Sequence, residues 1–299
     1  MIEMAMDQQI PPLRDDLAIR TAEQDGEKLV VLEDPLGISP QPIAIPLQIY
    51  TMLRVFDRGI TFATLADEIK AETGQEADLE PLLGILQYMD NFGYIDSPNF
   101  RAAKAEIDSY MKSPVRPAIC AGNTYAAGRN ELKDQLDELM NTYPPAVGND
   151  PAKAIVVPHI DFRVGDNALE TYASGYRTIE NTDADLFVIF GTSHFANTDL
   201  FMLSGKNYST PYGELETDTE LVDYLKENAG DAFQTDELAH RREHSVELQA
   251  ALIQHVFPDK KYKILPVLVG SFHAFMATGE SPWSDKRYQK FIDNLLNGI

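Results

Sequence analysis

Every histidine in this 299-residue chain lies after residue 158: His159, His194, His240, His244, His255 and His273. Two of them close apolar runs of similar make-up, AIVVPH and DLFVIFGTSH. A neutral imidazole just beyond a strand is a good ligand for iron, zinc or copper. His159 and His194 are separated by about one strand–helix–strand unit. If Ala154–Val157 and Leu186–Phe190 are parallel neighbours, both rings enter the crevice where open α/β sheets place their ligands. The pattern predicts a metal site at His159 and His194. Asp161 follows closely enough to orient or supplement it, or simply to cap its loop.

A second constellation is HRREHSVE, residues 240–247. In a continuous helix, His240, Glu243, His244 and Glu247 share one face. His240-x-x-Glu243-His244 also matches the inverted zinc-peptidase pattern, with two histidine ligands and a glutamate base. That chemistry needs a third ligand downstream, and no acidic partner in a suitable helix is evident. A plain helix start, with Glu243 near the positive end of the dipole, is the bland alternative. A third reading sends His244 into the His159/His194 crevice as a proton-transfer group. His273 follows the next apolar strand and could reach the same place, while His255 reads as helix surface. Cys120 would bind a soft metal as a thiolate but, standing alone, also reads as a small buried residue.

The elements that must position these groups alternate. Helices are predicted near 129–140, 167–179, 217–225, 243–257 and 288–296. Strands are predicted at 154–157, 186–190, 201–204 and 262–270. This is α/β, with a mostly parallel or mixed sheet flanked by helices. Upstream, residues 1–27 read as irregular and Leu29–Leu32 as a short strand. Pro35, Pro40, Pro42 and Pro46 then break a loop. Three short amphipathic helices follow, closed by Gly59, Gly74 and Gly93, with Tyr94-Ile95 as a short strand. That order is winged-helix-like. Residues 101–113 read as a helical linker, so the division is 1–113 and 114–299.

Charge narrows the partners. The formal net charge is −22, and residues 1–100 carry 6 Lys/Arg against 18 Asp/Glu. Affinity for DNA comes largely from neutralising phosphate with basic side chains, so no nucleic-acid partner is expected. An acidic surface disfavours anionic membrane as well. A docking module for a peptide or protein fits residues 1–113 better. One cysteine allows no intrachain disulfide, and no apolar run approaches the roughly 20 residues of a membrane helix. A cytoplasmic protein is expected.

The residues also carry two resemblances. DPLGISPQP, IYTMLRVFDRG, TLADEI and LLGILQYMDNFGYID loosely resemble the small PqqD-type peptide-recognition domains. AGNTY (121–125), VVPHIDF (156–162), VIFGTSHF (188–195), YSTPYGELETD (208–218), REHSVELQAALIQ (242–254) and ILPVLVG (264–270) resemble, in order and spacing, the Memo family, also called AmmeMemoRadiSam system protein B. That resemblance implies a fold similar to class III extradiol dioxygenases, which are non-haem iron enzymes. It implies a divalent metal, iron(II) first with copper or zinc as alternatives, held by His159 and His194. It makes His244 the histidine near the substrate. Glu243 is a catalytic candidate with His244, and Cys120, Tyr125 and Asp161 are substrate-binding candidates. It also implies a small-molecule or peptide ligand, radical-SAM and AMMECR-type partners, and a role in a redox or modification pathway. Cys120 stands where many members have histidine. The family continues beyond the helix at 288–296 to a Ser-Ser-Asp-x-x-His type motif and a late cysteine or carboxylate. Two sure metal ligands are therefore expected here: the chain is a truncated form, or another chain completes the site, or the site is not catalytic, and a binding protein with a vestigial pocket is the alternative reading.

Overall fold

A computed structural model describes residues 5–39, 41–143, 152–163, 166–196 and 198–299. Pro40, one of the four prolines assigned to the N-terminal loop, lies outside them. The chain divides into two compact units, Met1–Ser109 and Tyr110–Ile299. Among the described residues, no helix is long and apolar enough to cross a membrane.

The first unit opens with a three-stranded antiparallel sheet, β1 (Ala18–Gln24), β2 (Glu27–Glu33) and β3 (Ile43–Pro46), in the order β1-β2-β3. This corrects the irregular reading of residues 1–27. Asp25-Gly26, with φ of 53° and 82°, makes the two-residue turn that right-twisted hairpins favour. The strand is hidden in the sequence because β1 is exposed almost throughout, so no apolar alternation marks it. Helices α1 (Leu47–Val55), α2 (Phe62–Thr73) and α3 (Glu80–Asn91) follow. Thr61 caps α2 by accepting the Thr64 N–H at 3.1 Å. Val30, Leu32 and Ile43 from the sheet join Leu53, Phe56, Phe62, Leu86 and Met89 in one core. Tyr94-Ile95 contributes only a bridge, Leu13 to Ile95. Helix α4 (Pro98–Lys112) carries the chain across the division.

The second unit begins with β4 (Val115–Arg116), α5 (Arg129–Thr142) and α6 (Asp166–Ile179). Next come β5 (Leu186–Thr192), β6 (Phe201–Leu203), the hairpin β7 (Asn207–Thr210) and β8 (Gly213–Leu215), then α7 (Thr219–Ala229). The unit closes with β9 (Gln234–Thr235), α8 (Glu237–Arg241), α9 (Ser245–Val256), β10 (Lys263–Val269), α10 (His273–Thr278) and α11 (Lys286–Gly298). The main sheet is mixed, in the order β5-β10-β6-β9, with β5 parallel and β6 antiparallel to β10. One apolar core lies under α9, where Val246, Leu248, Ala250, Ala251 and Leu252 meet Ile189 of β5 and Ile264 and Leu268 of β10. The other lies against α7 and α11, through Leu221, Leu225, Phe291 and Leu295.

Two expectations fail here. Residues 154–157 form no ladder, and β5 pairs only with β10 among the described residues. Val156 is 96 % exposed; its run has strand-like composition without a sheet neighbour. Nor is 240–247 one helix: α8 ends at Arg241 and α9 begins at Ser245. His240 is therefore turned away from His244. It is fully buried, with Nε2 2.9 Å from the Met202 carbonyl and Nδ1 2.6 Å from the Tyr208 hydroxyl. A carbonyl can only accept, so Nε2 carries the proton and Nδ1 accepts from Tyr208. Both nitrogens are thus engaged, which removes His240 as a zinc ligand and with it the peptidase reading.

Burial pushes the His240 imidazole down to about 4. A histidine whose pKa is lower in the folded state stabilises fully above its unfolded value of about 6.5 and loses that contribution as pH falls through the interval. We expect wild-type stability to lose roughly 3 kcal/mol between about pH 6.5 and about pH 4 relative to a His240→Gln protein. Urea unfolding at both pH values measures it, and equal pH dependence in the two proteins would contradict it.

Candidate functional site

Three imidazoles converge at one end of the second unit. His159, His194 and His244 each offer a ring nitrogen, and these nitrogens lie within 4.8 Å of one another. The Nε2 atoms of His159 and His194 are 3.3 Å apart. The His194 and His244 rings stack at 4.8 Å, and His159 and His244 stand 5.6 Å apart between centroids. Two ring nitrogens bound to one metal at about 2.0–2.1 Å in tetrahedral array would be separated by about 3.3 Å. The donor set and its closest spacing therefore fit a metal ion.

Each ring arrives on a different segment. His194 ends the turn after β5, where the Ser193 N–H donates to the Val269 carbonyl at 3.0 Å. His244 stands at the N-terminus of α9. The two are brought together because α9 passes very close to β5 at Gly191. A Cβ there would lie 2.5 Å from Ser245 Oγ and 2.7 Å from Val246 Cγ2. That approach lets the Ser245 hydroxyl donate to the Thr192 carbonyl at 2.9 Å. His159 ends the unpaired segment. Val157 packs against α6 at Gly175, where a Cβ would come within 2.4 Å of it.

Behind the rings sits Glu243, whose side chain is 1 % exposed. Its carboxylate accepts the backbone N–H groups of His194 (2.8 Å), His244 (2.8 Å) and Ser245 (3.0 Å). His194 Nδ1 lies 3.0 Å from it and His244 Nδ1 3.2 Å. Burial alone would raise the carboxyl's pKa; the N–H donors and His194 outweigh it and hold the group below its usual range. An ionised Glu243 favours a proton on the facing Nδ1 of His194, and in the neutral ring with that tautomer the Nε2 lone pair faces His159. Desolvation, then the two neighbouring rings, lower the pKa of His159, so a neutral ring is favoured there.

The remaining candidates have partners of their own. Cys120 is buried, and burial raises its thiol to about 12; it cannot serve as a ready thiolate. Tyr125 is buried with its hydroxyl on Glu247. Glu247 also accepts the Cys120 N–H at 2.9 Å and pairs with buried Arg116. Cys120 and Tyr125 are thus both tied to Glu247. Asp161 accepts the Arg163 N–H at 2.8 Å and is paired with its guanidinium, as a loop cap. His255 contacts Tyr212 at 2.9 Å, and His273 begins α10. The sequence reading passes over Glu247 and Gln249 as buried polar groups. Their signal is two polar residues on the buried part of an otherwise apolar helix, VELQAALI.

A cavity of about 510 Å³ opens beside His194, lined by Thr192, Ser193, Phe195, Val269, Gly270 and Ser271 among others. It is large enough for a small molecule.

Comparison with known proteins places this geometry in a family. A MEMO1 family protein of Aquifex aeolicus is 29% identical over 245 residues, covering 82% of this chain and 63% of that protein. Such coverage exceeds the second unit alone and takes in part of the first. A MEMO1 family protein of Methanococcoides burtonii is 41% identical over 157 residues, covering 52% of this chain and 55% of that one. The protein memo-1 homolog of Caenorhabditis elegans is 31% identical over 161 residues, 52% of this chain and 43% of its own length. The chain thus spans about half the length of the curated relatives it matches, somewhat more for the Aquifex protein. A family model described as Memo-like protein matches residues 116–279, which hold all three converging imidazoles, and the chain belongs to that family.

Proposed function

We propose that the second unit binds a divalent transition metal through His159, His194 and His244 and uses it in oxidoreductase chemistry on a small molecule. One observation carries this: the Nε2 atoms of His159 and His194 face each other at 3.3 Å while Glu243 holds the His194 proton on the opposite nitrogen. Two lone pairs at that distance repel unless a proton or cation lies between them. His244 stands close enough to join the donor set itself, which supports three ligands in this reading where the sequence offered two.

Iron(II), copper and zinc all accept imidazole donors, and the family resemblance favours iron(II). When bound, such a metal supplies Lewis-acid polarisation and, for iron or copper, electron transfer at its open positions. The protein's own contribution is orientation. Glu243 accepts from His194 and lies against His244, fixing ring angles and raising ligand basicity as carboxylates behind metal-bound histidines do. The cavity beside His194 admits the substrate, with Phe195 exposed at its wall. Radical-SAM and AMMECR-type partners and a modification pathway belong to the proposal through the family resemblance.

A docking role for the first unit is favoured by a separate observation. Strand β1 is a seven-residue sheet edge, exposed almost throughout, in a strongly acidic segment. The outer backbone groups of such an edge can pair with an extended peptide, and the charge selects a basic one.

Titration of the metal-free protein with iron(II), zinc(II) or copper(II) should show one tight site. Alanine at His159, His194 or His244 should weaken that site by more than about a hundredfold while leaving measurable binding to the two remaining rings, and His273→Ala should retain full affinity. Glu243→Gln should weaken binding roughly 10–100-fold without unfolding the protein. Unchanged affinity in the histidine variants would refute the assignment. For docking, a lysine-rich peptide should slow hydrogen exchange in Ala18–Gln24; unchanged exchange there would contradict strand pairing.

A further inference from the structure

The segment that delivers His159 has no sheet ladder, so its backbone carbonyls need partners from elsewhere. The carbonyls on either side of His159 each have one. Gln249 Nε2 donates to the Pro158 carbonyl at 3.0 Å. The Tyr172 hydroxyl donates to the Ile160 carbonyl at 3.1 Å. Gln249 comes from α9 and Tyr172 from α6, and both side chains sit in well-packed surroundings, Tyr172 fully buried and Gln249 8 % exposed. The Gln249 amide is itself oriented, because the buried Tyr176 hydroxyl donates to its Oε1 at 2.9 Å. That bond fixes which end of the amide carries the donors, and the donors face Pro158.

We infer that Gln249 is a positioning residue for the metal centre, holding His159 in register with His194 and His244 through the Pro158 carbonyl. This role rests on the metal-site reading above. Helix α9 carries His244 at its N-terminus and Gln249 just over one turn further on. One rigid element therefore sets the place of one ligand directly and of another through its neighbouring carbonyl. Tyr172 holds the Ile160 carbonyl on the other side, so the backbone at His159 is held from both flanks. Val157 seated at Gly175 supplies the apolar part of the same attachment.

The test is a double-mutant cycle on metal affinity, with hydrogen exchange as a readout that needs no metal. Gln249→Leu keeps the bulk and removes the donor. Zinc(II) affinity should fall at least about tenfold in the otherwise wild-type protein. It should change less than about twofold when His159→Ala is already present, because the ligand being positioned is gone. Tyr176→Phe, which frees the amide without removing it, should give a smaller loss than Gln249→Leu. In the metal-free protein, Gln249→Leu should speed exchange in residues 154–160 while α9 itself stays protected. Equal losses in both backgrounds, or faster exchange spread along α9, would show that Gln249 only supports the core and would overturn the inference. Wild-type protein that binds no zinc(II) would refute the metal site, and the exchange result would still decide whether Gln249 holds the segment.

Discussion

The site depends on a single buried carboxylate. Glu243 is held ionised in surroundings that would ordinarily neutralise it because donors surround it: three backbone N–H groups and the Nδ1 of His194, with His244 Nδ1 3.2 Å away. Burying such a charge without partners costs several kcal/mol. The turn after β5 and the start of α9 must therefore stay where their N–H groups can reach it. By satisfying Glu243, the chain also fixes His194 and His244, since both contribute N–H groups to it. The carboxylate sits at the N-terminal end of α9, where the helix dipole favours negative charge.

The same requirement explains the break between α8 and α9. Arg116 donates to the carbonyls of His240 (3.1 Å) and Glu243 (2.6 Å) and pairs with Glu247. Those carbonyls are taken by a guanidinium brought in from β4, so the chain turns between Arg241 and Ser245. The result points His240 into the core against Tyr208 and Met202 and leaves His244 with the other two rings.

These contacts decide how much is legible in the residues alone. The α/β class and the positions of most helices follow from apolar spacing, and His159 and His194 stand out because each closes an apolar run. The strand expected before His159 is absent because an apolar run signals packing, and Val157 packs against α6 without joining a ladder. Spacing alone puts His240, Glu243, His244 and Glu247 on one helical face. That face is broken by Arg116, a residue far away in sequence whose long-range bonds leave no periodic trace. Strand β1 escapes notice for the opposite reason: it is exposed on both faces, so only the Asp25-Gly26 turn announces it. The tie of Cys120 and Tyr125 to the buried Glu247 is equally hidden, because it joins residues far apart in sequence.

The central claim is that three imidazoles from three separate segments, aligned by Glu243, form one metal-binding set. X-ray absorption at the edge of a metal loaded into the intact protein counts those ligands directly. Three imidazole nitrogens at about 2.0–2.1 Å are predicted, with one lost in each of His159→Ala, His194→Ala and His244→Ala. A first shell of carboxylate oxygens without imidazole scattering, or a shell unchanged in all three variants, would contradict it.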